Sequence, residues 1–227
     1  MSRKVKVKII VDTFMVILMM LLMSYSLIGE NIHEGIGVGM FVLFVMHHIL
    51  NAAWMKNLCK GRYTAYRILQ TILVLMAFVV IAGSMISGVV LSRYAFSFLN
   101  VSGGASWARA MHMVCAYWGF AIISLHFGLH WGMIIGITKK AAGIQSPIAI
   151  WAFRIMALLL AGYGVYAFAR RQIGSYMFLK SQYVYFDFGE PLALFLLDYV
   201  AVMGMFVFIG HYLSAGAKRF VKQKRNP

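Results

Sequence analysis

Seven histidines lie in or at the edges of long apolar segments of this sequence. An imidazole ring can ligate a metal, carry a proton or form a hydrogen bond between helices. Ionisable side chains at such a depth in a membrane are costly, so each one is a candidate functional residue. The seven are His33, His47, His48, His112, His126, His130 and His211.

Two pairs of these histidines share one spacing. His33 and His47 are 14 residues apart, and the same spacing separates His112 from His126. Over such a distance a helix rises about 21 Å and returns to within about 40° of its starting face. If the two helices run in the same direction, His33 lies level with His112, near the outer end. His47 then lies level with His126, below the centre of the bilayer. Two facing imidazoles at one depth are the arrangement that holds a haem iron through both axial positions.

The ligands at the inner level are less determined by spacing. His48 follows His47 directly but points about 100° away from it. His130 is 18 residues from His112, on the same face but about 27 Å further along the axis. His126 matches the inner level better, and His130 is a candidate for a hydrogen bond to a haem propionate or a quinone. Interhelical hydrogen bonding is the ordinary role of any single intramembrane histidine, whereas four histidines in register favour haem.

Other polar residues near the two levels have more than one interpretation. Arg93 and Arg109 lie near the outer level, where they could pair with haem propionates or anchor the chain to lipid headgroups. Asp198 with His211 could relay protons in quinol chemistry. The alternative for both, and for Asp12, is pairing between helices.

Gly119 lies midway between His112 and His126. The absence of a side chain there would let a flat macrocycle approach the backbone. The alternative is that small residues simply allow membrane helices to pack closely.

The composition requires lipid rather than water around most of the chain. Hydrophobic residues make up 62% of the 227 residues and charged residues only 12%, against about 25% charged in soluble domains. We predict an all-α integral membrane bundle of about six transmembrane helices, with a four-helix core that holds two haems. The whole chain, 1–227, is predicted to form one domain, with a core at about 8–137 and accessory spans at about 147–214. The apolar runs long enough to span cover roughly 9–29, 33–54, 68–91, 108–137, 147–169 and 190–214.

Basic residues predict the orientation. With six spans, four basic clusters fall on one side of the membrane, and such clusters mark the cytoplasmic side. We therefore expect a multi-pass protein of a prokaryotic cell membrane with both termini in the cytoplasm. The first run is longer than a signal-peptide core, so we expect it to be retained as a helix. The clusters are Arg3, Lys4, Lys6 and Lys8; Lys56, Lys60, Arg62 and Arg67; Lys139 and Lys140; and Lys218, Arg219, Lys222, Lys224 and Arg225.

Several function classes are disfavoured by the sequence. The formal net charge of +15 would suggest nucleic acid in a soluble protein, but here no basic soluble surface exists to bind it; membrane lipid is the expected partner. Cys59 and Cys115 form no Cys-x-x-Cys-His motif, so any haem would be held without a covalent bond. No Walker motif, glycine-rich nucleotide loop or zinc quartet occurs.

Short motifs surround the histidines and the outer loop. They are NIHEGIG at 31–37, HHILN at 47–51, ISG at 86–88, SRY at 92–94, AYWG at 116–119 and LHFGLHW at 125–131. Together they resemble the flavinylation-associated cytochrome family, formerly a domain of unknown function, within the di-haem transmembrane cytochrome b group. The resemblance covers roughly residues 8–137, and the fifth and sixth spans match less distinctive motifs.

The resemblance implies two b-type haems and transfer of electrons across the membrane to extracytosolic flavin-bearing domains. By their positions in the motifs, His33, His47, His112 and His126 would be the haem ligands, and His130 matches a family histidine of unassigned role. This sequence contains no flavin-binding segment, so we expect the electron partner to be another polypeptide.

The expected function is that of an electron-transfer subunit, as part of a quinol-linked oxidoreductase. Membrane quinol, with menaquinone as the candidate species, would supply the electrons. An extracytosolic flavoprotein or other redox protein would receive them. The alternatives are a ferric-reductase-like enzyme that reduces an external acceptor directly, and a haem-free transporter or channel.

Overall fold

The computed structural model describes residues 2–143 and 146–223, and these are helical almost throughout, with no strand among them. The all-helical architecture predicted from the sequence is therefore confirmed for this part of the chain. A short 3₁₀ turn, Ser97–Leu99, lies in the loop between the fifth and sixth helices. The helices are α1 (Arg3–Met23), α2 (Tyr25–Ile28), α3 (Glu30–Leu50), α4 (Ala52–Lys56), α5 (Ala65–Leu91), α6 (Ala105–Ala142), α7 (Pro147–Arg170), α8 (Ile173–Met177) and α9 (Leu192–Gln223).

Five of the described helices, α3, α5, α6, α7 and α9, are long and apolar enough to cross a membrane. The multi-pass character is therefore confirmed, but the count of six is not. The difference lies in α1, which has 21 residues but carries four basic residues and Asp12 in its first half. Its uninterrupted apolar part is short compared with the roughly 20 residues that a span needs.

Glycine, proline and threonine set the helix boundaries. Gly29 has a φ of 89° between α2 and α3, and Gly143 has a φ of 63° directly after α6. Both conformations are open to glycine and strained for other residues. The hydroxyl of Thr64 accepts a hydrogen bond from the backbone N–H of Arg67 at 3.3 Å and caps α5. Pro147 occupies the first turn of α7, where its missing N–H costs nothing.

The first two long helices, α1 and α3, pack side by side in opposite directions. Lys8 Nζ donates a 2.7 Å hydrogen bond to Asn51 Oδ1 at one end of the pair. A Cβ at Gly39 would lie 3.5 Å from Leu18 near the middle. Since α1 starts where α3 ends, α1 accompanies α3 along most of its length.

The centre of the bundle is formed by α6, with α5 and α9 on either side of it. Gly128 of α6 lies against the backbone carbonyl of Val207 in α9, and Gly210 of α9 lies against the carbonyl of Leu125. A Cβ at either glycine would collide with these carbonyls, so the absence of side chains allows the close approach typical of membrane helices. The ring of Phe120 packs against Tyr199, with centroids 5.6 Å apart. These contacts run in step along both helices, which shows that α6 and α9 are parallel.

The chain directions bring basic residues together at one end. Lys8 meets the end of α3 through Asn51, and Lys218 of α9 lies 4.3 Å from the ring centroid of Tyr66 at the start of α5. We call this the inner end and the opposite end the outer end.

Helix α3 is peripheral to the bundle. Met40 is its only buried residue, and its main packing partner is α1 rather than α5 or α6. Helix α3, which carries three histidines, therefore lies slightly apart from α6, which carries three more.

Candidate functional site

His33 and His112 face each other near the outer end. Their ring centroids are 6.0 Å apart and their planes are inclined by 70°. Two imidazoles bound to one metal ion through bonds of about 2 Å have ring centres roughly 6 Å apart. The separation of these two rings therefore fits axial ligation of a haem iron.

The tautomer of His112 is fixed by α5. Its Nδ1 lies 3.1 Å from the backbone carbonyl oxygen of Ser84 and 3.2 Å from the hydroxyl of Ser87. A carbonyl oxygen only accepts, so Nδ1 must be the protonated nitrogen that donates to it. Nε2 then keeps its lone pair, which is the state that a metal ligand requires.

His33 is the less satisfied member of the pair. Its Nδ1 is buried and makes no hydrogen bond of ordinary geometry among the described residues, although the backbone of Leu22 lies near the ring. The ring packs edge-on against Tyr25, with centroids 5.1 Å apart. A buried polar atom without a partner costs free energy, and such atoms in a folded protein call for a functional or ligand-related explanation.

The position of α3 at this level is set by Glu34, the residue after His33. One carboxylate oxygen of Glu34 accepts a 2.6 Å hydrogen bond from the hydroxyl of Ser92. The carboxylate also accepts from the backbone N–H groups of Arg93, Tyr94 and Ala95, at 2.8, 3.0 and 2.7 Å. These four bonds attach α3 to the end of α5, and through His112 to α6.

At the inner level, His47 has a carboxylate partner. Its Nδ1 lies 2.7 Å from Oδ1 of Asp12 in α1. The adjacent His48 points elsewhere, as the helical geometry predicts: its Nδ1 donates to the Phe44 carbonyl at 2.9 Å. The ring of His48 also packs against Phe78 of α5, with centroids 5.9 Å apart. His48 is thus accounted for by local contacts.

His126 and His130 lie one helical turn apart, with ring centroids 5.1 Å apart. Nδ1 of His126 is buried and, within the described ranges, has no hydrogen-bond partner. In the part of the chain that the structure describes, no ring contact joins His47 to His126 or to His130. The inner pair is therefore less closely assembled than the outer pair.

The two arginines expected at the outer level are both exposed. Arg93 Nη1 lies 3.5 Å from Oε2 of Glu30, with 73% of the arginine side chain exposed. Arg109 is exposed near the start of α6. Both lie at the outer end, as expected from the sequence.

The suggested relay between Asp198 and His211 is not assembled. Asp198 is 2% exposed and accepts hydrogen bonds from Tyr163 at 2.6 Å and from Arg171 Nε at 2.7 Å. His211 lies 13 residues further along α9, or about 20 Å away, beside Gly132. Asp198 is therefore part of an ion-pair network, as its alternative interpretation held.

Gly119 faces Val80 of α5, where an added Cβ would lie 3.5 Å from the valine side chain. Its role is the packing of α5 against α6 rather than room for a macrocycle. In contrast, Gly35 and Gly37 of α3 have nothing within 4 Å of an added Cβ. These two glycines therefore do not pack against a neighbouring helix, and Gly35 is exposed on the surface of the bundle.

Three features of the site were missed at the level of the sequence. They are the hydrogen bonds of Glu34, the contacts of Ser84 and Ser87 with His112, and the pairing of Asp12 with His47. A carboxylate directly after a candidate ligand and two serines one turn apart in an apolar helix were visible signals for the first two. The third depends on which helices are neighbours.

A second polar network joins the outer ends of α7 and α9. Arg171 donates a 2.6 Å hydrogen bond to Glu190 and a 2.7 Å hydrogen bond to Asp198. The hydrogen bonds to Glu190, followed by the interactions with Asp198, raise the pKa of the Arg171 guanidinium above its usual value. The Arg171 guanidinium therefore stays charged, and its hydrogen bonds fix the position of the segment between α7 and α9.

Among residues 2–143 and 146–223, no group of three or more His, Cys, Asp or Glu is placed to hold a bare metal ion. A haem iron would need only two axial ligands from the protein, so this finding does not bear on the histidine pairs. Comparison with family models, with curated proteins and with solved structures finds no match to this chain.

Proposed function

We propose that this protein transfers electrons across a membrane through two b-type haems held without covalent bonds. The observation that carries the proposal is the opposition of His33 and His112, with Nε2 of His112 left free by the hydrogen bond to Ser84. The outer haem would have these two ligands. The inner haem would have His47 and His126, which share the spacing of the outer pair.

The proposal includes α1 as the sixth span. Its contacts with α3 begin at Lys8 and Asn51 and continue to Leu18 and Gly39. A helix that follows a membrane-spanning neighbour over this length crosses the same apolar layer. With six spans, the inner end becomes the cytoplasmic side by the positive-inside rule, in the cell membrane of a prokaryote.

The residues of the chain bind, orient and shield the haems. Ser84 and Ser87 hold the ring of His112, and Glu34 holds α3 so that His33 faces it. When bound, the haems would accept and release single electrons between the two faces of the membrane. Arg93 and Arg109 would pair with the outer propionates.

The donor and acceptor follow from the resemblance to flavinylation-associated cytochromes. A membrane quinol, with menaquinol as the first choice, would supply electrons, and His130 would hydrogen-bond either the quinone or an inner propionate. An extracytosolic flavoprotein or other redox protein would accept them at the outer end.

The test is a reduced-minus-oxidised spectrum of the purified protein with a haem count per chain. We expect b-type bands and two haems. His112→Ala should remove one haem. His48→Ala should remove none, because the His48 ring donates to the Phe44 carbonyl and packs against Phe78. A colourless preparation from haem-sufficient cells would overturn the proposal in favour of a haem-free transporter or channel.

A further inference from the structure

We propose that Asp12 is a positioning residue for the inner haem ligand His47, and that its carboxylate stabilises the oxidised state of that haem. The inference rests on the proposed function. It concerns a residue of α1, a helix that supplies no haem ligand itself. The contact that carries it is the 2.7 Å hydrogen bond between Nδ1 of His47 and Oδ1 of Asp12.

The contact is one of two side-chain hydrogen bonds that join α1 to α3. Asp12 pairs with His47, and one turn away Lys8 donates to Asn51 at 2.7 Å. Asn51 in turn donates from Nδ2 to the backbone carbonyl of His47 at 2.9 Å. Both the ring and the backbone of His47 are therefore held from α1 and from the end of α3.

Asp12 differs from the other aspartate within a long helix in the partners that it has. Asp198 accepts from Tyr163 and Arg171 and also lies 3.7 Å from Arg170. Among the described residues, the Asp12 carboxylate accepts a hydrogen bond from His47 alone. The contact is only partly buried, since 49% of the Asp12 side chain and 30% of the His47 side chain are exposed. Here that partner is a histidine whose second nitrogen, Nε2, lies 3.5 Å from Nδ2 of Asn51.

The chemical consequence follows from the carboxylate–histidine–metal arrangement. A carboxylate that accepts the Nδ1 proton fixes the tautomer and raises the basicity of Nε2 as a ligand. The ferric haem carries one more positive charge than the ferrous haem. A negative charge behind the ligand therefore stabilises the ferric state and lowers the midpoint potential of that haem.

The competing explanation is that Asp12 and His47 form an interhelical contact and nothing more. In that case the loss of the carboxylate would weaken the packing of α1 on α3. It would leave the electronic properties of both haems unchanged.

The experiment is a redox titration of the purified, haem-loaded full chain as wild type, Asp12→Asn and Asp187→Asn. The asparagine side chain keeps the size of the aspartate and one acceptor oxygen but lacks its negative charge. We expect Asp12→Asn to shift the ferric–ferrous equilibrium of one haem by about tenfold towards the ferrous form, which is about 59 mV upward for a one-electron couple. The other haem should not move. Asp187→Asn removes a carboxylate of an exposed outer loop, whose hydrogen bond is to its neighbour Gly189, and should move neither.

The outcomes separate this inference from the proposed function. A wild type without b-type haem overturns both. Two haems in the wild type with unchanged potentials in Asp12→Asn overturn the role of Asp12 alone, even if the variant melts at a lower temperature. If Asp12→Asn does not fold, near-infrared magnetic circular dichroism of the oxidised wild type decides the question. Stronger imidazolate character in one of the two haems supports the inference, and identical signatures contradict it.

Discussion

Glu34 and Ser92 are joined by a 2.6 Å hydrogen bond that connects the start of α3 to the end of α5. Three backbone N–H groups donate to the same carboxylate. Because His33 directly precedes Glu34, this carboxylate determines where the outer candidate ligand stands relative to His112.

Removal of the Glu34 carboxylate should therefore destabilise the outer half of the bundle. Hydrogen bonds to charged groups contribute about 1.5–3 kcal/mol each, and unsatisfied donors cost more, so we expect Glu34→Ala to lower the free energy of unfolding by about 3 kcal/mol. Thermal unfolding in detergent measures this loss, and the haem count should fall towards one per chain.

The matched control is Glu30→Ala, one turn earlier on α3. Its exposed contact with Arg93, at 3.5 Å, should contribute less than about 1 kcal/mol. Equal losses for the two variants would show that Glu34 does not hold α3 in place.

The choice between His126 and His130 at the inner level can be made by substitution. His126 and His112 share the spacing of His47 and His33, so His126→Ala should lose the inner haem. His130→Ala should keep two haems. Haem stoichiometry and the split of the reduced band measure both. If the loss occurs only in His130→Ala, His130 is the ligand and the equal spacing is misleading.

Close packing of α7 on α9 should depend on Gly164. An added Cβ at this position would strike the backbone carbonyl of Ala201, and overpacking of this kind costs about 1–3 kcal/mol. We expect Gly164→Ala to lower the melting temperature of the detergent-solubilised protein. Gly162→Ala is the control on the same helix, because an added Cβ there meets nothing within 4 Å.

Asp198 should be more important for folding than for haem binding. The carboxylate is 2% exposed and neutralises Arg171, whose side chain is 16% exposed. Breaking a buried ion pair costs about 3–5 kcal/mol when the remaining charge is left unpaired. Arg171 keeps its bonds to Glu190, so Asp198→Asn should lower the melting temperature by less than such a loss implies. Its folded fraction should retain the haem content of the wild type, since the network joins α7 to α9. Loss of haem from well-folded Asp198→Asn would show that the network supports the site.

The sequence predicted the helical bundle well because lipid imposes long apolar segments. The run at 33–54 corresponds to α3 and α4, and the run at 108–137 lies within α6. The equal spacing of the histidines also predicted correctly that His33 would lie beside His112. Their role as ligands stays a prediction.

Contacts between helices distant in the sequence were not predictable in the same way. The pairing of Asp12 with His47 depends on α1 and α3 being antiparallel neighbours, which periodicity does not specify. The structure does not bring Asp198 and His211 together, because 13 residues of one helix separate them by about 20 Å.

The fastening of α3 at its two ends has a consequence for assembly. Glu34 ties the outer end to the loop after α5, and Lys8 with Asp12 ties the inner end to α1, while Met40 is its single buried residue. The position of α3 relative to α6 therefore depends on polar bonds at its two ends more than on a buried apolar face.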